Sequence, residues 1–119
     1  RRQRFEVRVG RQRRFVDDDE LSSIEAAGDY VELHCLDGRC LLLRESLNRL
    51  AERLDAQRFL RVHRGAIVRL DQVAALRPLS NRDALLQLRD GRLVRASRNH
   101  VPLLMQRLRD AGSAPPVHD

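Results

Sequence analysis

Apolar and polar residues alternate along this chain in short runs. Phe5, Val7 and Val9 face one way and Glu6 and Arg8 the other, which is the period of a half-buried strand. Gly10 closes that strand, Arg11 to Arg14 forms a polar turn, and Phe15-Val16 begins another short strand. Leu21 to Ala27 reads as a turn leading into a strand, which Gly28-Asp29 breaks. From Tyr30 the alternation is strict. Val31, Leu33 and Cys35 share one face, and Tyr30, Glu32 and His34 share the other. Asp37-Gly38 separates this run from Arg39 to Leu43, the chemistry of a two-residue hairpin turn. Such a turn sets Cys35 opposite Cys40 in a close pair, where a cross-strand disulfide is sterically conceivable.

The period then changes. Leu47, Leu50 and Leu54 recur at i, i+3 and i+7, one apolar helical stripe, with Ser46 as its N-cap and an end near Asp55. Arg58 to Val62 reads as extended, Gly65 as a turn, and Ala66 to Val68 as a short buried strand. Val73 to Leu76 is a further strand, stopped by Pro78. Ala84 to Arg89 and Arg92 to Ser97 flank Asp90-Gly91, a second turn of the same chemistry. Asn99 is the expected cap of a final helix with Val101, Leu104, Met105 and Leu108 on its core face. Pro102 falls in its first turn, where a missing N–H costs little. The expected organisation is a basic linker over residues 1–4, one domain over 5–111, and a disordered tail over 112–119. Many short strands, two helices and no repeating βαβ order make the fold mainly β.

A chain of 119 residues suits one domain with a modest core. Its net charge is +6, and all 23 basic side chains are arginine. The excess is uneven: residues 1–56 hold 11 Arg against 12 acids, residues 57–119 hold 12 against 5. Guanidinium forks fit phosphate oxygens and guanine edges. Two runs carry no acid: Arg58 to Arg69, with four arginines and His63, and Arg92 to Arg109, with five arginines. The first run also holds Phe59, Leu60, Val62, Ile67 and Val68, enough to tie it to a core. The two runs read as sides of one surface for a polyanion. Only Phe5, Phe15, Tyr30 and Phe59 are aromatic, and the three phenylalanines read as core. That leaves no stacking platform for single strands, so duplex DNA is the expected partner. No apolar run reaches membrane-spanning length, and no signal peptide is visible. The expected location is the cytoplasm, or the cytoplasmic side of the membrane if the full protein has an N-terminal membrane segment.

Several of these stretches, in this order, resemble the LytTR DNA-binding domain. They are Phe59-Leu60-Arg61-Val62-His63-Arg64, then Ile67-Val68, then Val73 with Leu76. Upstream, Ile24-Glu25-Ala26 with Gly28-Asp29-Tyr30-Val31 is similar to that family's first recognition loop. Glu45-Ser46-Leu47 resembles the start of its helix, and Ser97-Arg98-Asn99 its last recognition loop. The resemblance implies an elongated β-sandwich of about ten short strands in small stacked sheets, with loops entering successive major grooves. By position it implies base reading by Tyr30, Arg64, Arg98 and Asn99, and phosphate contacts from Ser46, Arg61, His63 and Arg69. It implies the output domain of a bacterial transcriptional regulator, acting as a homodimer on paired sites. A receiver domain or a membrane segment usually precedes such a domain. Two positions depart from the pattern: Gly65 stands where a small polar residue is usual, and Arg69 where Asn is common.

Other chemistries are less well served. The acidic run Asp17 to Glu20 lacks the ligand spacing of a metal loop. His34, His63, His100 and His118 form no zinc pattern with Cys35 and Cys40. No cofactor is expected, and neither a paired nucleophile and base nor a phosphate-cradling glycine loop is present. A non-enzyme is therefore expected. The competing readings are an RNA-binding or a protein-interaction β-domain without DNA specificity.

Overall fold

The computed structural model describes residues 2–112, with side chains described for residues 2–110. Among the described residues, ten strands and two α-helices succeed one another in chain order: β1 (Arg4–Val9), β2 (Gln12–Asp17), β3 (Leu21–Ala27), β4 (Tyr30–Cys35), β5 (Cys40–Leu43), α1 (Leu47–Arg53), β6 (Phe59–His63), β7 (Ala66–Arg69), β8 (Val73–Pro78), β9 (Ala84–Leu88), β10 (Leu93–Ala96) and α2 (Val101–Gly112). The strands form three antiparallel sheets: β1-β2, β5-β4-β3-β7-β6, and β10-β9-β8. The molecule measures 51 × 41 × 25 Å along its principal axes. It is the mainly β, elongated architecture expected.

The five-stranded sheet is the central layer, and its two faces feed two cores. On one face Ile24, Val31, Leu33, Phe59 and Ile67 meet Phe5, Val7 and Val16 of the β1-β2 hairpin and Leu47 and Leu50 of α1. On the other, Val62, Ala66 and Val68 meet Leu86, Leu88 and Val94 of the small sheet and Leu104 of α2. β7 is therefore buried at all four positions. That explains why an arginine-rich run carries so many aliphatics: each one fully removed from water contributes about 1.5–3 kcal/mol, and here both faces are covered.

Strand phases depart from simple alternation at bulges. Leu21 and Ile24 both point into the first core although they are three residues apart, because the β3-β4 register shifts between Leu21 and Ser23. An extra residue inverts the facing of every later position in the strand, so the whole of Leu21–Ala27 is strand rather than a turn leading into one. Both Asp-Gly turns also differ from the two-residue form. Cys35 N–H donates to Arg39 O at 2.8 Å and Gly38 N–H to Cys35 O at 3.0 Å. Leu88 and Gly91 repeat these bonds with Arg92 O and Leu88 O, each at 2.9 Å. Gly38 and Gly91 sit at φ +93° and +90°, the left-handed residue of a three-residue loop with a bulge. The extra residue separates the cysteines: Cys35 is buried in the first core, while Cys40 is exposed and paired with His34. A disulfide between them is excluded by facing. Burial raises the Cys35 thiol pKa, which leaves it unreactive.

The acidic run is a structural node. Asp17 pairs with Arg4, Asp19 with Arg2 and Arg58, and Glu20 with Arg39. Asp18 is fully buried. Its Oδ2 accepts from Gln3 N–H at 3.0 Å, and its Oδ1 lies 3.4 Å from Arg58. Gln3 and Arg4 are thus pinned, and the first strand begins inside the expected basic linker. Phe15 is 57% exposed and lies outside the core. It pairs across from Glu6, while its neighbour Val16 takes the inward position. The tail expected over 112–119 lies, beyond Gly112, outside the described residues. Among the described residues, no helix is long and apolar enough to cross a membrane.

Candidate nucleic-acid interface

One end of the central sheet gathers five connections. These are the β3-β4 turn, the β5-α1 loop, the β6-β7 turn, the β8-β9 loop and the β10-α2 loop. Backbone hydrogen bonds fix three of them side by side. Ala26 N–H donates to Gly65 O at 2.9 Å, and Ser97 N–H donates to Val62 O at 2.9 Å. The first joins the Tyr30 hairpin to the Arg64 turn, and the second joins that turn to the Arg98 loop. Arg64, Arg98 and Asn99 are exposed there. Among the described residues no carboxylate lies within ion-pair distance of Arg64 or Arg98.

The Arg64 turn is held from below. Arg61 donates from Nε to His63 O at 2.9 Å, from Nη2 to Arg64 O, and from Nη1 to Asn48 Oδ1 at 2.9 Å. Burial alone lowers the Arg61 pKa. Arg61, expected as a phosphate neighbour, ties α1 to the turn with most of its donors already engaged. Gly65 N–H donates to His63 Nδ1 at 3.0 Å. The His63 proton then resides on Nε2, free to donate to an anion. A Cβ on Gly65 would meet His63 Nδ1 at 3.5 Å and Ala26 Cβ at 3.9 Å, ordinary contacts, so the turn has room for a larger residue. Ser46 is exposed, and its Oγ accepts from Arg49 N–H at 3.1 Å as the cap of α1. Its hydroxyl hydrogen stays available.

The Arg98 loop is held from the small sheet. Asp83 accepts Arg98 N–H at 2.9 Å and pairs with Arg95 at 3.1 Å. The Arg98 backbone bond, then the Arg95 side chain, lower the Asp83 pKa. Ser97 Oγ bonds His100 Nδ1 at 2.6 Å. Burial, then Arg61, then His63 depress His100, which ties this loop electrically to the central turn. The first turn of α2 closes from Val101 N–H and His100 N–H onto Ser97 O. Asn99 therefore lies in the turn ahead of the helix and does not cap it, which leaves its amide to solvent.

Tyr30 lies one strand further along, 40% exposed, with the Arg44 guanidinium 5.7 Å from its ring centroid. Arg69 falls outside the site. Its side chain is only 11% exposed and is spent on Asp71 Oδ1 at 2.7 Å and Asp19 O at 2.6 Å. Arg69, expected as a phosphate ligand, braces the acidic node. Arg58 and Arg92 are likewise bound to acids. Two further arginines belong to the exposed end. Arg44 stacks on Tyr30, and Arg82 shares an open groove of about 510 Å³ with Arg98, Asn99, Val101 and Pro102. Asn81 and Arg82 both hold positive φ, 62° and 66°, rare for residues with a Cβ. Hairpin register could have revealed Arg44, because Tyr30 lies beside the Val31–Leu43 pair. No pattern in the sequence marks Arg82.

A sequence model described as the LytTr DNA-binding domain matches residues 11–109. Among solved structures, the LytTr DNA-binding domain of a Bacillus cereus protein described as a putative methyl-accepting/DNA response regulator superposes with a TM-score of 0.79. It is 19% identical, and the match covers 88% of this chain and 95% of that one. No curated protein matches the chain.

Proposed function

Because the chain belongs to the LytTR family of DNA-binding domains, we propose that it binds duplex DNA sequence-specifically, reading major-groove edges through the loops at one end of its central sheet. The observation that carries this reading is the pair of hydrogen bonds from Ala26 to Gly65 and from Ser97 to Val62. They set the Tyr30, Arg64 and Arg98 loops in one row with two unpaired guanidiniums. Arg64, Arg98 and Asn99 take base edges, and Tyr30 meets a thymine methyl or a base acceptor. Ser46 Oγ–H, His63 Nε2–H, Arg44 and Arg82 take phosphates and fix register. Two copies bind half-sites spaced near one helical turn, roughly 10 base pairs, to regulate transcription in the bacterial cytoplasm.

The test begins with sites selected from random duplexes, and anisotropy titrations then compare a selected with a scrambled duplex. Arg64→Ala and Arg98→Ala should each cost about 1–3 kcal/mol on the selected site and far less on the scrambled one. Equal losses on both duplexes would reassign these arginines to the phosphate backbone. Selected sites without a paired motif would remove the two-copy arrangement.

A further inference from the structure

The solvent-facing side of β3, β4 and β5 carries a second cluster of chemistry, unrelated to the basic end. One ligand atom each from Glu32, His34 and Cys40 lies within 4.8 Å of the others. Glu25 joins them, its Oε2 lying 3.7 Å from His34 Nε2, and Glu32 Oε1 accepts from that same nitrogen at 3.0 Å. The positions arise from register alone. Glu25 pairs with Glu32, His34 pairs with Cys40, and Glu32 and His34 are alternate residues of one strand. Three donors from two paired strands thus gather at one spot with no loop to be ordered, and Glu25 of β3 lies beside them.

We propose that Glu32, His34 and Cys40 form a binding site for a borderline-soft divalent transition metal, zinc above all. The donor set selects the class. Calcium and magnesium take all-oxygen shells, whereas one imidazole, one thiolate and one carboxylate make a mixed set that zinc accepts in tetrahedral geometry. Bonds of about 2.0–2.3 Å put neighbouring zinc ligands roughly 3.3–3.8 Å apart. The cluster needs to tighten by about 1 Å at its widest to reach that spacing, within reach of ordinary side-chain rotation. Charge favours it too: two carboxylates face one guanidinium, that of Arg92, which bonds Glu25 and donates to Ser23 Oγ at 2.8 Å. Arg92 takes the same Glu25 oxygen that faces His34, which commits Glu25 to that ion pair and leaves it beside the three donors. As the metal binds, Cys40 gives its thiol proton to solvent and the His34 proton moves from Nε2 to Nδ1, which frees the Nε2 lone pair. The three-residue loop is what makes this possible. A two-residue turn would have paired Cys40 with Cys35 and left His34 without a sulfur neighbour.

The test is a titration of the metal-free chain with Co²⁺, a coloured stand-in for zinc, and then displacement with Zn²⁺. The expected result is one equivalent bound, with a thiolate-to-cobalt charge-transfer band in the near ultraviolet that Zn²⁺ abolishes. Cys40→Ser should remove the band, and His34→Ala should weaken affinity at least tenfold. Cys35→Ser and His118→Ala should leave both unchanged. Circular dichroism confirms that the Cys40→Ser and His34→Ala chains fold, as their part-exposed positions predict. A band that survives Cys40→Ser, or no saturable binding below millimolar cobalt, overturns the site. No DNA enters the experiment, so its outcome is independent of the proposed function.

Discussion

Arg61 shows why the charge of a side chain is a poor guide to what it touches. It lies in the acid-free run and aligns with a phosphate position, yet its guanidinium bridges two carbonyls and Asn48. A lysine keeps the charge but cannot span three acceptors in a plane. If Arg61 acts on DNA through the turn it braces, Arg61→Lys should cost about 1–2 kcal/mol on the selected duplex, nearly as much as Arg61→Ala. Anisotropy against salt distinguishes the two roles: a direct phosphate contact would be rescued by lysine. His100 gives a pH handle on the same joint. Its folded pKa is depressed by burial and by Arg61 and His63, while an unfolded histidine titrates near ~6.5. Above that pH the group contributes nothing. As pH falls below it, the unfolded chain takes up a proton that the folded chain resists, so stability drops. Urea midpoints at about pH 7.5 and 5.5, on either side of that pKa, should separate more for the parent chain than for His100→Asn. An equal drop in both would place the loss elsewhere.

At the scale of elements, short turns decide what the strands present. Gly91 at φ +90° sets the loop that sends Arg92 to Glu25 and Asp90 to Ser22. Gly91→Ala has open space for its methyl but not the backbone angle. It should therefore destabilise by about 1–2 kcal/mol in urea unfolding, through strain alone. These turns also mark how far the sequence can be read. Strict alternation places Val31, Leu33 and Cys35 in the core, and the leucine spacing places α1, because both signals are local. The bulge in β3 and the extra residue in each Asp-Gly loop leave no compositional trace, so a local pattern gives the wrong facing for Leu21 and Cys40. The basic run is legible as a run but not in its division of labour. Arg58 answers the Asp19 carboxylate 39 residues away and Arg69 the Asp19 carbonyl 50 residues away, and only the fold brings those partners together.

For the molecule as a whole, that division sets the strength of its electrostatics. The second half of the chain carries 12 arginines, and a reading from composition would assign most of them to phosphates. The fold instead spends Arg58, Arg69, Arg92 and Arg95 on carboxylates and Arg61 on carbonyls. Asp19 and Asp71 lie at the end of the central sheet opposite the Arg64 turn, paired there with Arg2, Arg58 and Arg69. Among the described residues, Arg44, Arg64, Arg82 and Arg98 stand at the loop end of the central sheet without a carboxylate partner. Each phosphate neutralised contributes roughly 0.9 to the slope of log affinity against log salt. The two assigned to phosphates, Arg44 and Arg82, give a slope of about −2 per bound copy, against roughly −10 if every arginine of that half took part. Titration of one copy on a single half-site over a range of NaCl concentrations measures this directly. A slope near the steeper value would mean that the internal ion pairs open on binding and that the recognition surface is far larger than these loops.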